Sequence, residues 1–473
     1  MIDILLHNKQ HIKIKCIDND YYDKLKDYFS FKVPGYYFTS KFKNSSWDGK
    51  ISFFNKKDKT MPYGLFFDFL KFHKKYYPDE KFNVSSEIKK LFSIETPFNV
   101  MYNLKHYPRD YQDDCIKAAL KYKKCILHVS VASGKSLIIA YIIKTLMEHD
   151  IFNHLIIVPT INLVEQFKND LLDYGIKNNI GLYYNKTKEP FEDIVISTWQ
   201  SLQNRHNILS RFNSVFVDEC HTTGGSIEIR KILKNITAEY KIGVTGTLPS
   251  KKLHLFNIKS YLGPIVRKYK SSELAEKGHV SKCEVIVYPL KYPNKKFSNI
   301  DYFTIRENIF KHKLTFMLNI INDVVSKQDN ILILLNLVEK EGKILEDFLK
   351  FHEINVVFIY GKTDVSKREY HRKEMDRKQG KVIIATYPIF KLGVNIPSLK
   401  HILFASPMES EVSVLQSIGR VLRKHIEKVD GAYIHDLLDD VPFLYTHGEN
   451  RQGYYKKEKF ETIIKDATNI TGE

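Results

Sequence analysis

The segment CILHVSVASGKS at 125–136 constrains this chain more than any other. An apolar run that gives way to small residues and ends in Gly134, Lys135 and Ser136 reads as a buried strand entering a tight loop. The residues that follow, SLIIAYIIKTLMEHD, read as a helix. Strand, loop and helix therefore come in the order that a phosphate loop requires. Small side chains at 130, 132, 133 and 134 let backbone N–H groups turn inward around phosphate oxygens, at a helix N-terminus whose dipole favours negative charge. Ser133 and Gly134 then line the phosphates, Lys135 reaches the β and γ phosphates, and Ser136 holds magnesium. One departure stands out: Val129 occupies the place of the glycine that opens the GxxxxGK[ST] pattern.

A second string, SVFVDECH at 214–221, is a short β-branched and aromatic run ending in two carboxylates. It sets Asp218 and Glu219 at the C-terminal end of a strand, where open α/β sheets bind ligands. Asp218 is the metal-side acid and Glu219 the candidate base that orients the attacking water. The bland alternative, an acidic loop closing a core strand, does not account for a phosphate loop standing upstream of it.

A chain of 473 residues is too long for one core and divides best into three parts. Residues 1–95 are dense in aromatics and lysine, with turns at Pro34–Gly35 and Asp48–Gly49. They read as a small α+β accessory domain whose Trp47 and Lys50, with Lys41 and Lys43, lie near a hairpin tip and suit nucleic acid. Residues 96–265 alternate strand and helix: CILHVSV, HLIIVPT, DIVIST, SVFVDE and YKIGVTGT, with LVEQFKNDLLDYG as a helix closed by Gly175. Residues 266–473 form a second α/β series, ILILL, NVVFIYG, KVIIAT, HILFASP and GAYIHDLLD, without a phosphate loop of its own. The tail after 440 reads as a polar helix and loop.

A helix near 409–425 brings Gln416, Arg420 and Arg423 onto one face, with Val414, Ile418, Val421 and Leu422 opposite. Two guanidinium groups so placed suit the charge that develops on a transferring phosphate. The formal net charge of +18 points to a polyanion and to binding that weakens with salt. Five cysteines without a CxxC pair argue against a disulfide framework or a zinc site. No apolar run approaches bilayer length, and MIDILLHNKQHIKIK lacks a secretory stretch, so a soluble intracellular protein is expected.

Taken in order, RDYQ at 109–112, SVASGKS, IVPTINLVEQ at 157–166, STWQS at 197–201, VDECH, TGT at 245–247, ATYPIFKLGVNIP at 385–397 and QSIGRVLR at 416–423 resemble the motifs of superfamily 2 helicases. The SSWDGKI turn and the IGRVLRKH ending make the chain similar to the UvsW-type recombination helicases of tailed phages. That resemblance implies two RecA-like doubly wound parallel-sheet domains, and an ATP- and Mg2+-dependent motor acting on single-stranded and branched DNA in the cytoplasm of an infected bacterium. Carried over by position, Arg109 and Gln112 face the adenine, and Lys135, Ser136, Asp218 and Glu219 do the chemistry. His221, Thr245 and Thr247 couple nucleotide state to the nucleic acid. Gln416, Arg420 and Arg423 complete the site from the second domain, with Gly393 in a loop touching both ligands. Pro159, Thr160, Thr198, Gln200 and Thr386 meet the nucleic-acid backbone. The chain departs from the pattern at Ala132, where a glycine is usual, and at Asn395, where an acid is frequent. An RNA helicase, and a duplex DNA translocase that does not separate strands, share most of these motifs.

Overall fold

The computed structural model describes residues 2–8, 10–16, 18–91, 99–177, 179–185, 187–203, 205–293, 301–377, 379–391, 396–425, 428 and 431–470. Its contacts divide the chain into two units. Met1–Val129 with Gly134–Lys268 form the first, and Ser130–Ser133 with Tyr269–Glu473 form the second. No helix among the described residues is long and apolar enough to cross a membrane.

The first unit opens with a four-stranded sheet in the order Thr60–Pro62, His11–Lys15, Ile2–Leu6, Phe82–Val84. Alternation decides its inner face: Ile2, Ile4, Ile12 and Ile14 are buried and the residues between them are not, as a period of two demands. Onto that face pack Tyr21, Tyr22 and Leu25 of the Asn19–Tyr28 helix and Phe66, Phe69 and Phe72 of the Phe66–Tyr76 helix. The same core takes in Leu253 and Phe256 from the distant Lys252–Leu262 helix. The Phe256 ring lies 5.7 Å from Phe29, 4.9 Å from Phe31 and 5.7 Å from Phe53. Beside it Lys259 donates to both oxygens of Asp68, at 2.9 and 2.8 Å. Gly64 sits so close to this helix that a Cβ would fall 1.8 Å from the Lys259 carbonyl. The N-terminal residues thus share a core with the chain that follows the acid pair.

The second sheet of this unit runs Thr187–Lys188, Ile180–Tyr184, Ile194–Thr198, His154–Val158, Ser214–Asp218, Tyr240–Thr245, Lys124–Val129, Ile265–Tyr269. From Ile180–Tyr184 to Lys124–Val129 every pairing is parallel, so the carboxyl ends of these strands share one edge. The five strands expected from sequence are present. Ile180–Tyr184 and Ile265–Tyr269 join them; the glycine in IGLYY and the charges in IVRKY hide their strand character.

The second unit holds a parallel sheet in the order Val356–Ile359, Val382–Thr386, Ile331–Leu335, His401–Phe404, Ala432–Asp439, Cys283–Lys291, Glu461–Ile464. The tail is more than a helix and loop. After the Leu444–Glu458 helix it adds Glu461–Ile464 and Thr468–Asn469, both paired with Cys283–Lys291. Glu461–Ile464 is exposed throughout, so its pattern carries no burial signal.

Across this sheet runs a polar chain with buried His401 and His435 at its centre. Asp329 Oδ2 meets His401 Nε2 at 3.2 Å, His401 Nδ1 meets His435 Nε2 at 3.0 Å, and His435 Nδ1 meets the Tyr288 hydroxyl at 3.0 Å. Burial drives His435 down to about 3 and lowers His401 as well. Unfolded histidine takes its proton near pH 6.5, whereas folded His435 resists until about 3. The stability is therefore complete above the unfolded value and is lost as pH falls below it. At pH 5 the loss from His435 is about 2 kcal/mol. Urea unfolding at pH 7 and pH 5 should show this drop, and His435→Gln should flatten it. An equal pH response in the variant would remove the role assigned to His435.

Candidate active site

The Lys124–Val129 strand is buried along nearly its whole length and delivers the chain to the sheet edge, where it turns into the Lys135–Met147 helix. Gly134 lies at φ 70°, a left-handed conformation that glycine adopts without strain, and a Cβ on it would displace the Gln112 side-chain amide 2.6 Å away. Ala132 shares the left-handed region at φ 65°, which explains why glycine is usual at that place; alanine costs about 1–2 kcal/mol more. The Ser133 hydroxyl donates to the Ser130 carbonyl at 2.6 Å and closes the loop. Gln112 is buried, and its Oε1 accepts the Arg109 backbone N–H at 2.9 Å. Both residues thereby start the Asp110–Tyr122 helix beside the loop.

Two strands away, Ser214–Asp218 ends in the acid pair. Glu219 adopts φ 48°, ψ 48°, a left-handed conformation that a non-glycine residue holds only under constraint and that gathers at functional sites. The constraint is visible. Glu219 Oε1 lies 3.1 Å from Lys135 Nζ, and its Oε2 lies 3.3 Å from His221 Nδ1 and 3.2 Å from Thr245 Oγ1. Thr245 Oγ1 is also 2.9 Å from His221 Nδ1 and 2.8 Å from the Thr247 carbonyl, and the Thr247 hydroxyl is 3.5 Å from His221. A hydroxyl has one proton to give, so Thr245 serves Glu219 or Thr247 but not both at once. Burial alone would raise Glu219, yet Lys135 and His221 hold it well below the usual carboxylate range. Burial and the neighbouring Glu219 charge push Asp218 up instead. Asp218 Oδ1 is buried without a hydrogen-bond partner.

Lys135, Glu219, His221, Thr245 and Thr247 therefore form one connected cluster. Ser136 points its hydroxyl to the Tyr174 hydroxyl at 2.8 Å. Tyr174 was not legible as a site residue, being simply the residue before the helix-closing Gly175. Pro159 and Thr160 follow the end of His154–Val158, and Thr198 ends and Gln200 follows the neighbouring parallel strand Ile194–Thr198, on the same sheet edge. Thr160 Oγ1 is buried with no partner. Thr198 caps its helix by accepting from Ser201, and Gln200 is exposed. Trp47 is tied down, its Nε1 donating to the Lys50 carbonyl at 2.7 Å, while Lys50 is exposed.

In the second unit Thr386 is buried at the end of Val382–Thr386. Gly393 and Asn395 lie outside the described residues. The arginine helix spans Glu411–Val421, and Val414, Ile418, Val421 and Leu422 are buried as expected. Gln416 and Arg420 are half-buried on its accessible stripe. Arg423 lies beyond the helix end, which corrects the expectation of an uninterrupted helix to 425. The buried Lys428 side chain terminates it, its Nζ donating to the Val421 carbonyl at 2.9 Å and the Arg423 carbonyl at 3.1 Å. The tail helix braces the other end. Arg451 grips Asp436 with Nε at 3.0 Å and Nη2 at 2.7 Å and donates to the Met408 carbonyl at 3.2 Å, and Lys457 pairs with Glu411.

Family models match three successive stretches: DNA helicase UvsW, N-terminal, over residues 1–84; type III restriction enzyme, res subunit, over 105–250; and helicase conserved C-terminal domain over 312–425. With helicase domains matched on both halves of the chain, the chain is a superfamily 2 helicase, an enzyme that uses a nucleoside triphosphate. Within that superfamily it resembles UvsW. It is 27% identical over 501 residues to the ATP-dependent DNA helicase uvsW of Enterobacteria phage T4, covering 98% of this chain and 99% of the relative. The crystal structure of T4 UvsW matches with a TM-score of 0.50 at 25% identity, covering 99% of each chain. A DNA 3'-5' translocase, XPB2 of Sulfurisphaera tokodaii, is 25% identical over 364 residues, covering 67% of this chain and 78% of that one.

Proposed function

We propose that this chain is an ATP-dependent DNA helicase that unwinds or branch-migrates forks and four-way junctions during phage recombination, repair or replication. The observation that carries the reading is the Lys135–Glu219–His221–Thr245 cluster, which joins a phosphate-binding lysine to a fixed carboxylate and to the strand-end residues beside it. Residues 1–95, 96–265 and 266–473 are its three working parts. Lys135 leaves Glu219 for the β and γ phosphates, Ser133 and Gly134 cradle them, and Arg109 and Gln112 hold the adenine. Glu219, once released, accepts the proton of the attacking water.

Asp218 Oδ1, buried and unpartnered, and the Ser136 hydroxyl are the groups that would hold Mg2+, which neutralises phosphate charge when bound. The described residues hold no cluster of three or more acid, His or Cys ligands. A metal carried by the nucleotide needs only one or two protein ligands, so the donor set fits. Gln416, Arg420 and Arg423 stabilise the charge that develops on the transferred phosphate. His221, Thr245 and Thr247 relay the outcome, and Gly393 belongs to the loop that senses it. Pro159, Thr160, Thr198, Gln200 and Thr386, with Trp47 and Lys50, contact DNA through its backbone, which makes the motor indifferent to sequence.

The test compares ATP turnover at equal salt with single-stranded DNA, forks, four-way junctions, plain duplex and RNA duplex, and follows strand exchange with ATP or a non-hydrolysable analogue. Junction movement confined to branched DNA with ATP is the expected result. Stimulation by RNA alone would overturn the DNA assignment, and turnover on duplex without strand separation would make the chain a translocase.

A further inference from the structure

The N-terminal residues form an open depression of about 620 Å3 whose walls carry Lys13, Lys15, Lys57, Lys59, Tyr22 and Asp58. Local structure explains why the lysines gather. Lys13 and Lys15 alternate with buried Ile12 and Ile14 on the His11–Lys15 strand, so both leave its outer face, about 7 Å apart along the strand. Lys57 and Lys59 come from a turn that the Asn55 side chain locks. Its Oδ1 accepts the N–H groups of Lys57 and Asp58 at 3.0 and 3.2 Å, and its Nδ2 donates to Asp58 at 2.6 Å. The Lys59 carbonyl then accepts the Ile14 N–H at 2.9 Å, docking the turn onto the strand between Lys13 and Lys15. Lys59 Nζ stands 4.9 Å from the centre of the Tyr22 ring, and the Tyr22 hydroxyl is fixed by the Cys16 N–H at 2.6 Å.

The charges are unbalanced. Four ammonium groups face one carboxylate, and that carboxylate is already engaged by Asn55. Lys13, Lys15 and Lys57 form no ion pair among the described residues, although neighbouring Lys56 pairs with Asp23 at 2.5 Å. Like charges held around a concavity repel one another and focus a positive field into it, which an anion relieves. Lysines act on phosphate as point charges without reading bases. We infer that this depression is a second phosphate-binding site, distinct from the Trp47–Lys50 hairpin, that holds successive phosphodiesters of a DNA strand. The inference rests on the proposed action on DNA.

The experiment uses the full chain with Lys13, Lys15, Lys57 and Lys59 all changed to Gln, and separately all to Arg. Affinity for single-stranded DNA is measured by fluorescence anisotropy between 50 and 200 mM salt, where each phosphate contact on a single strand adds about 0.7 to the slope. The Gln variant should lower the slope of log affinity against log salt by about 3, with ATP turnover in the absence of DNA unchanged, and the Arg variant should keep the slope. Unfolding midpoints report whether each variant is folded. A Gln variant with the wild-type slope overturns the inference, even if DNA still stimulates turnover and the proposed function stands. Tripolyphosphate titrated into both proteins separates the two sources of phosphate. A site present in wild type and lost in the Gln variant, with the DNA slope unmoved, would assign the depression to a free polyphosphate instead. Absence of any DNA binding by wild type would take down the proposed function together with this site.

Discussion

Lys135→Ala is expected to reduce ATP turnover at least about 10²–10³-fold, with or without DNA, which is the usual cost of removing one preorganised group from a developing charge. The structure makes the loss twofold in origin. Lys135 and His221 together hold Glu219 ionised in a buried setting, so removing Lys135 both strips the phosphates of their lysine and leaves Glu219, next to Asp218, with His221 as its remaining partner. Breaking a buried pair from one side costs up to about 3–5 kcal/mol, and the His221 contact that remains reduces the loss. The variant should therefore also melt earlier, and should lose the stabilisation that ATP gives the wild type. Steady-state turnover and a thermal shift with and without ATP check both halves. A variant that turned over normally would show that the loop is not the ATP site.

Arg420→Ala should slow hydrolysis by about 10³-fold or more, the range of an arginine that stabilises a transferring phosphate, while ATP affinity stays within a few-fold. The variant should remain folded, because the apolar side of its helix is supplied by Val414, Ile418 and Val421 and not by Arg420. Arg420→Lys should recover little, since an ammonium cannot reproduce the planar fork of a guanidinium. Nucleotide binding and single-turnover hydrolysis, measured separately, decide it: equal losses in both would make Arg420 a binding group, and no loss in either would end the assignment.

Much of this was legible because burial and turn chemistry write themselves into short strings. CILHV, HLIIV and SVFVD are strands buried on both faces, and the small residues after the first can only be a loop. What stayed hidden has physical reasons. Cys283–Lys291, CEVIVYPLK, passes unnoticed amid polar neighbours although eight of its residues pair with Ala432–Asp439. The tail strand Glu461–Ile464 shows no alternation because it is exposed throughout at the sheet margin. The end of the arginine helix depends on Lys428, whose side chain reaches back from outside the periodic segment. Glu219 could be named from its motif, but its left-handed backbone depends on a cluster drawn from three separate stretches of chain, at Lys135, at Glu219 and His221, and at Thr245 and Thr247.

Dissection by truncation meets an obstacle in the aromatic seam around Phe256. Removing residues 1–95 would uncover Leu253 and Phe256 and strand Lys259 without Asp68, on a helix that also lines the strand leading to the phosphate loop. Lost activity in such a shortened chain would report a damaged motor rather than a missing accessory, so the contribution of the first 95 residues has to be measured one side chain at a time.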